Sequence, residues 1–334
     1  MATIDDVARR AGVSTATVSR ALRGLPNVAE ATREHVRRVA AELNFAASRS
    51  ASSLASGRTN TVAIVVPHVT RWFFGKVISG AEEVLRTAGY DVLLYSICDA
   101  RARERFFAKL PLRGRADAVL VLALPVTAEE VGLLEGLGVP VGLVGHRARG
   151  LISVGIDDEA GARLAAQHLV NLGHKRIGLI TGDDDPLRFT TPRTRRTAFR
   201  EVLRANGLPS GPELEAEGGF TFAGGERAMT ELLSRPSPPT AVFAISDEMA
   251  VGAMKSLRRH ALEPGRAVSV VGFDDHEMAE VLDLTTVAQP VAEQGSTAAS
   301  LLLRQVSGHR PDRPERIVLP VRLIVRGTTA PPSS

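Results

Sequence analysis

Ala2-Thr-Ile-Asp-Asp-Val-Ala-Arg-Arg-Ala-Gly-Val-Ser-Thr-Ala-Thr-Val-Ser-Arg-Ala-Leu22 reads as two short helices around a four-residue turn. Thr3 stands three residues before Asp6, the spacing of a capping box, and Ile4, Val7, Ala8 and Ala11 recur at helical intervals on one face. Gly12 supplies the stop, because only glycine takes the left-handed backbone past a helix end without steric cost. Val13 plugs the gap between the helices, and Ser14 is a good N-cap for the second. Val18, Ala21 and Leu22 then face inward, while Thr15, Ala16, Thr17, Ser19 and Arg20 point outward from a helix short enough to enter a major groove. A third helix, roughly Glu30 to Leu43, places Val36, Val39, Ala40 and Leu43 at spacings of three or four and closes a small core.

An ordinary helical hairpin inside a larger fold has the same pattern, and charge separates the two readings. Residues 1–58 carry nine arginines and no lysine against five carboxylates, a net +4, and the remainder holds 32 basic and 32 acidic residues. All the formal positive charge therefore sits in the first sixth of the chain. A polyanion needs cations near its phosphates, whose neutralisation releases counterions, so a basic head on a neutral body predicts a nucleic-acid partner.

Thr3 to Arg20 meets the pattern Thr-Ile-x-Asp-Val-Ala-x-x-Ala-Gly-Val-Ser-x-x-Thr-Val-Ser-Arg apart from surface variation. Thr32-Arg33 and Ala41-Glu42-Leu43-Asn44-Phe45 extend the match into the third helix. With these motifs the chain resembles the lactose-repressor (LacI/GalR) family of transcriptional regulators over nearly its full length. The resemblance implies that Thr15 and Ala16 read bases and that Arg20 reaches a base edge such as guanine. Ser14, Thr17, Ser19 and Thr32 would contact phosphates and set register, with Thr3 and Asn27 completing the DNA-contact set.

Ala47-Ser-Arg-Ser-Ala-Ser-Ser-Leu-Ala-Ser-Gly57 is too polar to bury itself yet permissive of helix, so it reads as a conditional helix or as a plain linker. By resemblance it is the family hinge, which orders on an operator and wedges a leucine, here Leu54, into the minor groove, with Arg49 near the groove or backbone.

From Thr61 the chain alternates apolar runs with helical segments, the signature of βαβ units and parallel sheets. Val62–Val66, Val92–Tyr95, Ala118–Leu124 and Val139–Val144 form a first set, with the continuous apolar character of strands buried on both faces. Arg176–Ile180, Ala241–Ile245 and Ser269–Phe273 form a second. Roughly 275 residues exceed one typical domain and suit two lobes. Gln289-Pro290 and one strand over Arg316–Arg326 would return the chain across both, as in periplasmic-binding-protein-like folds. The expected fold class is α/β, a helix-turn-helix head on a two-lobed body with parallel sheets. The expected domains are a head at 1–46, a hinge at 47–59, a first lobe at 60–158 with 290–318, and a second at 159–289 with 319–329.

In open parallel sheets ligands sit beyond the carboxyl ends of the strands, so the polar residues just after each run are the candidates. These are His68, Asp157, the 182–195 loop, Asp247 and Asp274. Several match the family's effector-contacting positions. Arg195 offers a planar fork to paired hydroxyls or a carboxylate, and Asp274 accepts two hydroxyls. Trp72, Phe73, Phe74 and Phe220 suit the flat face of a sugar or base, although Phe74 and Trp72 also fit a core role at a strand-to-helix junction. Asp247, and Asp157 or Asp158, equally suit N-caps. The sequence departs from the family at Phe189, where some relatives place a polar contact, at Ala198, where a glycine is usual, and in a short Asp274–Leu284 stretch.

Enzyme chemistry is not indicated. Cys98, the one cysteine, falls in an apolar strand, the eight histidines are scattered, and no nucleophile elbow or phosphate-binding loop occurs, so neither metal nor cofactor is expected. A solute receptor would share the body but needs a secretory signal, and Met1 opens directly onto a capped amphipathic helix. No run is long enough to span a membrane, so a cytoplasmic protein is expected. The resemblance implies a homodimer gripping a pseudo-palindromic operator, controlled by a small molecule between the lobes, a sugar or alternatively a purine or nucleoside. Helices at Phe73–Thr87 and Gln294–Val306 are expected to supply part of the dimer interface. The chain shows no leucine heptads for a tetramer.

Overall fold

The computed structural model describes residues 2–22, 24–45, 58–182, 187, 189–309 and 311–333. Two compact units emerge, Met1–Thr59 and Asn60–Ser334. Arg49 and Leu54, with the rest of the expected hinge up to Gly57, lie outside the described residues.

In the first unit, α1 spans Ile4–Ala11, α2 Thr15–Leu22 and α3 Glu30–Glu42. The Thr3 hydroxyl accepts from the Asp6 amide, and the Asp6 carboxylate accepts from the Thr3 amide at 2.9 Å, so two otherwise orphaned donors are satisfied reciprocally. Gly12 has φ 66°, and its amide closes onto the Ala8 carbonyl. Ser14 Oγ accepts from the Thr17 amide at 3.1 Å. Val7, Ala8, Ala11, Val18, Ala21, Val36, Val39 and Ala40 form the core, while Leu22 and Leu43 pack at its edge.

The second unit holds two mainly parallel sheets wound alike. Its first has the order β11-β5-β4-β3-β1-β2, from β1 (Thr61–Val66), β2 (Asp91–Ser96), β3 (Ala118–Leu122), β4 (Val141–Val144), β5 (Ile152–Ile156) and β11 (Arg316–Leu319). The second has the order β12-β10-β9-β8-β6-β7, from β6 (Ile177–Thr181), β7 (Glu215–Glu217), β8 (Ala241–Ala244), β9 (Ser269–Asp274), β10 (Thr285–Ala288) and β12 (Arg322–Ile324). Helices α4 (Trp72–Thr87), α5 (Ala100–Lys109) and α6 (Ala128–Glu135) connect the first set. Helices α7 (Asp158–Asn171), α8 (Thr191–Ala205), α9 (Phe222–Leu233), α10 (Asp247–Arg259), α11 (Glu277–Val281) and α12 (Val291–Val306) follow. The chain passes between sheets at Ile156–Asp158, at Ala288–Val291 and between Leu319 and Arg322, so each sheet with its helices is a lobe.

Three expectations change. β2 lies at a sheet edge and is only partly buried, so it is not a strand covered on both faces. Cys98 falls beyond it and is exposed, outside any strand. The single strand expected over Arg316–Arg326 is two. Pro320, which lacks an amide donor, separates β11, parallel to β5, from β12, antiparallel to β10.

Helices α4 and α12 pack closely across the first lobe. A Cβ added at Gly80 would overlap the Ala292 carbonyl, and one at Gly295 would overlap that of Val77. Phe74, Val77, Ala81 and Leu85 of α4 share a core with Ala298, Ala299 and Leu302 of α12. The two helices thus bury apolar side chains against each other.

Candidate functional site

Two surfaces carry the chemistry. On the head, Ser14, Thr15, Ala16 and Arg20 are exposed along one side of α2, and Thr17 and Ser19 are half-buried beside them. Ser14 and Thr17 share a 2.9 Å hydroxyl contact, so both oxygens already serve the helix start. Thr3 is likewise committed to its cap. Asn27 is exposed with φ 67°, and Thr32 is half-buried on α3. Arg33, which matches the motif, is turned inward and binds the Leu25 carbonyl at 3.3 Å, holding the α2–α3 loop.

The second surface is a cleft between the lobes, open to solvent. Its walls come from the carboxyl ends of strands in both sheets. Phe73 and Phe74 start α4 after β1, Ala123 and Gly145 follow β3 and β4, Phe220 follows β7, and Asp274 ends β9. Phe189 and Thr191 close the side nearest α8.

Arg195 organises the polar floor. It is 4% exposed, donates from Nε to Asp158 Oδ1 at 2.8 Å and from Nη1 to the Ile245 carbonyl at 2.6 Å, and lies 3.7 Å from Asp274. Its guanidinium stacks 3.4 Å from the Phe273 ring centroid. Part of the Arg195 fork is therefore already engaged within the protein. Asp274 Oδ1 accepts from Gln289 Nε2 at 2.6 Å, and Gln289 Oε1 accepts from Gln294 Nε2 at 2.8 Å. This relay runs from Asp158 at one lobe crossing to Gln289 at another. Burial pushes the Asp274 carboxyl up to about 8 against the opposing pull of Arg195. A carboxyl that is mostly protonated at neutral pH can donate as well as accept, which suits hydroxyl or amide ligands.

The structure brings Phe73, Phe74, Phe189, Arg195, Phe220 and Asp274 to the cleft and leaves four sequence candidates off its lining. Asp247 is the first residue of α10 and turns back under the sheet, where it accepts from Thr286 Oγ1 at 2.6 Å and from the His276 amide at 2.8 Å. Burial raises it to about 7. Ser246, whose oxygen caps α10, and Glu248 line the cleft in its place. Asp157 is the N-cap of α7, accepting from the Ala160 amide at 2.9 Å, and borders an adjoining polar recess with His146 and Arg316. His68 sits 6.5 Å from Phe74 and 6.4 Å from Phe189, ring to ring, supporting both. Trp72 turns away from the cleft and stacks on His276 with centroids 4.7 Å apart.

Sequence reading passed over Arg71, Glu248, Gln289 and Gln294 as cleft residues. Arg71 holds its guanidinium 5.8 Å from the Phe220 ring centroid. Burial raises Glu248, partly offset by Arg71. Ser246, the first polar residue after β8, lines the cleft, while Asp247 beside it turns away and helical geometry points Glu248 into the space. Leu187 was also missed. It is fully buried in the first lobe's core although it follows β6 of the second, and Arg103 Nη1 donates to its carbonyl at 3.3 Å.

Among the described residues, no group of histidine, cysteine or acidic side chains could hold a metal ion, and no helix is long and apolar enough to cross a membrane.

A DNA-reading head joined to a two-lobed ligand-binding body defines the class of ligand-controlled transcriptional regulators. Comparison with known proteins places the chain within it. Residues 3–48 match the model of bacterial regulatory proteins, lacI family, and residues 166–329 match a periplasmic binding protein-like domain. The chain is 35% identical over 335 residues to the HTH-type transcriptional repressor CytR of Escherichia coli K12, covering 98% of this chain and 96% of that protein. It is 34% identical to the HTH-type transcriptional regulator CelR of Thermobifida fusca, covering 97% of each. Among solved structures, the lac repressor dimer bound to operator and the anti-inducer ONPF matches with a TM-score of 0.85 at 28% identity, over 98% of this chain and 99% of that one. A CelR–cellobiose complex matches with a TM-score of 0.72 at 33% identity, over 98% and 100%. The chain belongs to the lacI family of bacterial regulatory proteins, and it is a DNA-binding transcriptional regulator under small-molecule control.

Proposed function

We propose that this regulator binds a pseudo-palindromic operator as a homodimer and that a sugar in the inter-lobe cleft sets its operator affinity. The observation that carries the effector reading is the pairing of a polar floor, Arg195, Asp158 and Asp274, with aromatic walls at Phe74, Phe189 and Phe220. Such a floor recognises hydroxyls, and the rings cover the apolar face of a pyranose or furanose. Solved relatives with bound cellobiose and bound ribose support this class. The aromatic walls also favour a second reading, a purine or nucleoside whose base stacks between the rings.

On the head, Thr15 and Ala16 read base edges, Arg20 takes a guanine, and Ser14, Thr17, Ser19 and Thr32 meet phosphates. Thr3 and Asn27 flank them, and the hinge contributes Leu54 and Arg49 at the minor groove. Exposed Phe222, Met278 and Val281 on the second lobe supply apolar surface for the dimer. The protein acts in the cytoplasm and catalyses no reaction, as its regulator relatives suggest.

The test is duplex binding to fragments of the gene's own upstream region at fixed salt, titrated with sugars and nucleosides. Salt-sensitive binding that one compound abolishes or strengthens supports the reading and names the effector. Arg20→Ala should relax specificity at one base pair of each half-site and cost roughly 1–3 kcal/mol. Absence of any preference over random DNA at moderate salt would overturn the operator reading.

A further inference from the structure

Trp72 follows Arg71 and precedes Phe73 and Phe74, all three of which line the cleft, yet its own indole crosses to the other lobe. The ring lies on His276 at 32° between planes, and its Nε1–H donates to the Glu277 carboxylate, which Lys76 also pairs one turn further along α4. The two halves of this contact belong to different sheets. Helix α4 is fixed to the first lobe by Phe74, Val77 and Leu85, and α11 is fixed to the second by Ala279. His276 is held as firmly: its amide donates to buried Asp247, its ring nitrogen accepts from the Met278 amide at 3.0 Å, and Phe222 packs edge-on at 6.3 Å. Two residues earlier lies Asp274 of the cleft floor. Between them Asp275 has φ 57° and binds Arg326 at 2.9 Å, so the segment has little freedom to move independently.

We propose that Trp72 and Lys76, through His276 and Glu277, form a latch that holds the two lobes closed and so positions Arg71, Phe73 and Phe74 opposite Asp274. These are positioning residues, one step from the cleft on both sides. The stack and the indole hydrogen bond carry most of the contact, because the Glu277 side chain is 57% exposed and water screens its pairing with Lys76. The inference rests on the inter-lobe cleft being the effector site, but its test needs no effector, so the latch can fail while that reading stands.

Trp72 is the chain's one tryptophan, so intrinsic fluorescence reads this contact alone. The experiment uses full-length protein without ligand and compares wild type, Glu277→Ala and Glu277→Gln by acrylamide quenching and amide hydrogen exchange, with circular dichroism to confirm folding. Wild-type Trp72 should be protected from acrylamide. Glu277→Ala should at least double the quenching constant and speed exchange several-fold in segments 71–74 and 244–249 on opposite walls of the cleft. Glu277→Gln, which keeps an acceptor for the indole but loses the charge facing Lys76, should recover most of the protection. Quenching as fast as free tryptophan in the wild type would overturn the latch. So would faster quenching in Glu277→Ala with exchange unchanged in both segments, which would show a local contact with no hold on the lobes. Equal effects of alanine and glutamine would show that the indole hydrogen bond contributes nothing.

Discussion

Replacing Arg195 by methionine removes the charge while keeping most of the unbranched stem, and it isolates what the guanidinium does for the body. Three interactions go at once: the Nε bond to Asp158, the Nη1 bond to the Ile245 carbonyl and the stack on Phe273. Asp158 then loses its cation at a site where its side chain is only 20% exposed, and the Ile245 carbonyl loses its donor. Breaking a buried pair by removing one partner costs about 3–5 kcal/mol, because an uncompensated charge or unmet carbonyl stays behind. For a unit of this size each kcal/mol is worth roughly 2–4 °C in Tm, so a loss of about 10 °C is expected. Urea and thermal unfolding measure it. Without Arg195, burial holds Asp274 even more firmly in its protonated form. Pairing Arg195→Met with Asp158→Asn should recover about 1–2 kcal/mol. A loss below about 1 kcal/mol would show that water replaces the guanidinium and that the floor is not an organised network.

The pH dependence of stability should have two components of opposite sign. Asp247 and Asp274 have folded values raised to about 7 and about 8, so the native state holds protons the unfolded chain has lost, and stability falls as pH rises toward and through those values. Asp274→Asn should flatten that fall in unfolding measured from pH 5 to 9. Burial lowers His168 and His174, and His174 bridges Thr240, Ser269 and the Ala330 carbonyl, so their stabilisation is complete above the ordinary histidine value and is lost as pH falls through the lowered ones. A pH dependence from 5 to 6.5 that His174→Gln leaves unchanged would contradict this. Gly272→Ala should cost about 2–4 kcal/mol in chemical denaturation, because the new Cβ overlaps Asp247 Oδ1 and displaces its bonds to Thr286 and His276; a loss within 0.5 kcal/mol would mean that Asp247 is free to shift. Thr3→Ala should cost the head about 1 kcal/mol by removing its capping box while leaving the body's unfolding unchanged, and a calorimetric trace with no shift in the head's transition would refute it.

The sequence by itself determined the head and the winding of the body. Capping, the Gly12 turn and the apolar spacing of α1–α3 are local signals, expressed within three or four residues, and they survive because the backbone groups they satisfy are local too. The parallel strands were legible for a similar reason, since burial on both faces demands unbroken apolar runs; β2 escaped that logic only because its place at the edge is set by strand order. The cleft was legible as a region beyond the strand ends and, in part, as residues. Phe74, Arg195, Phe220 and Asp274 belong to it. Tertiary structure decided the rest. Whether a polar residue after a strand faces the cleft, caps a helix or turns inward depends on which neighbour reaches it. Thr286 and His276, on elements that follow β9, take Asp247 away, while Ser246 and Glu248 remain. The path of Trp72 depends on a partner 205 residues later in the chain. Gln289 and Gln294 matter because the chain recrosses between lobes where Asp274 needs a donor. No spacing rule encodes such meetings, because they follow from how two separately legible sheets pack against one another.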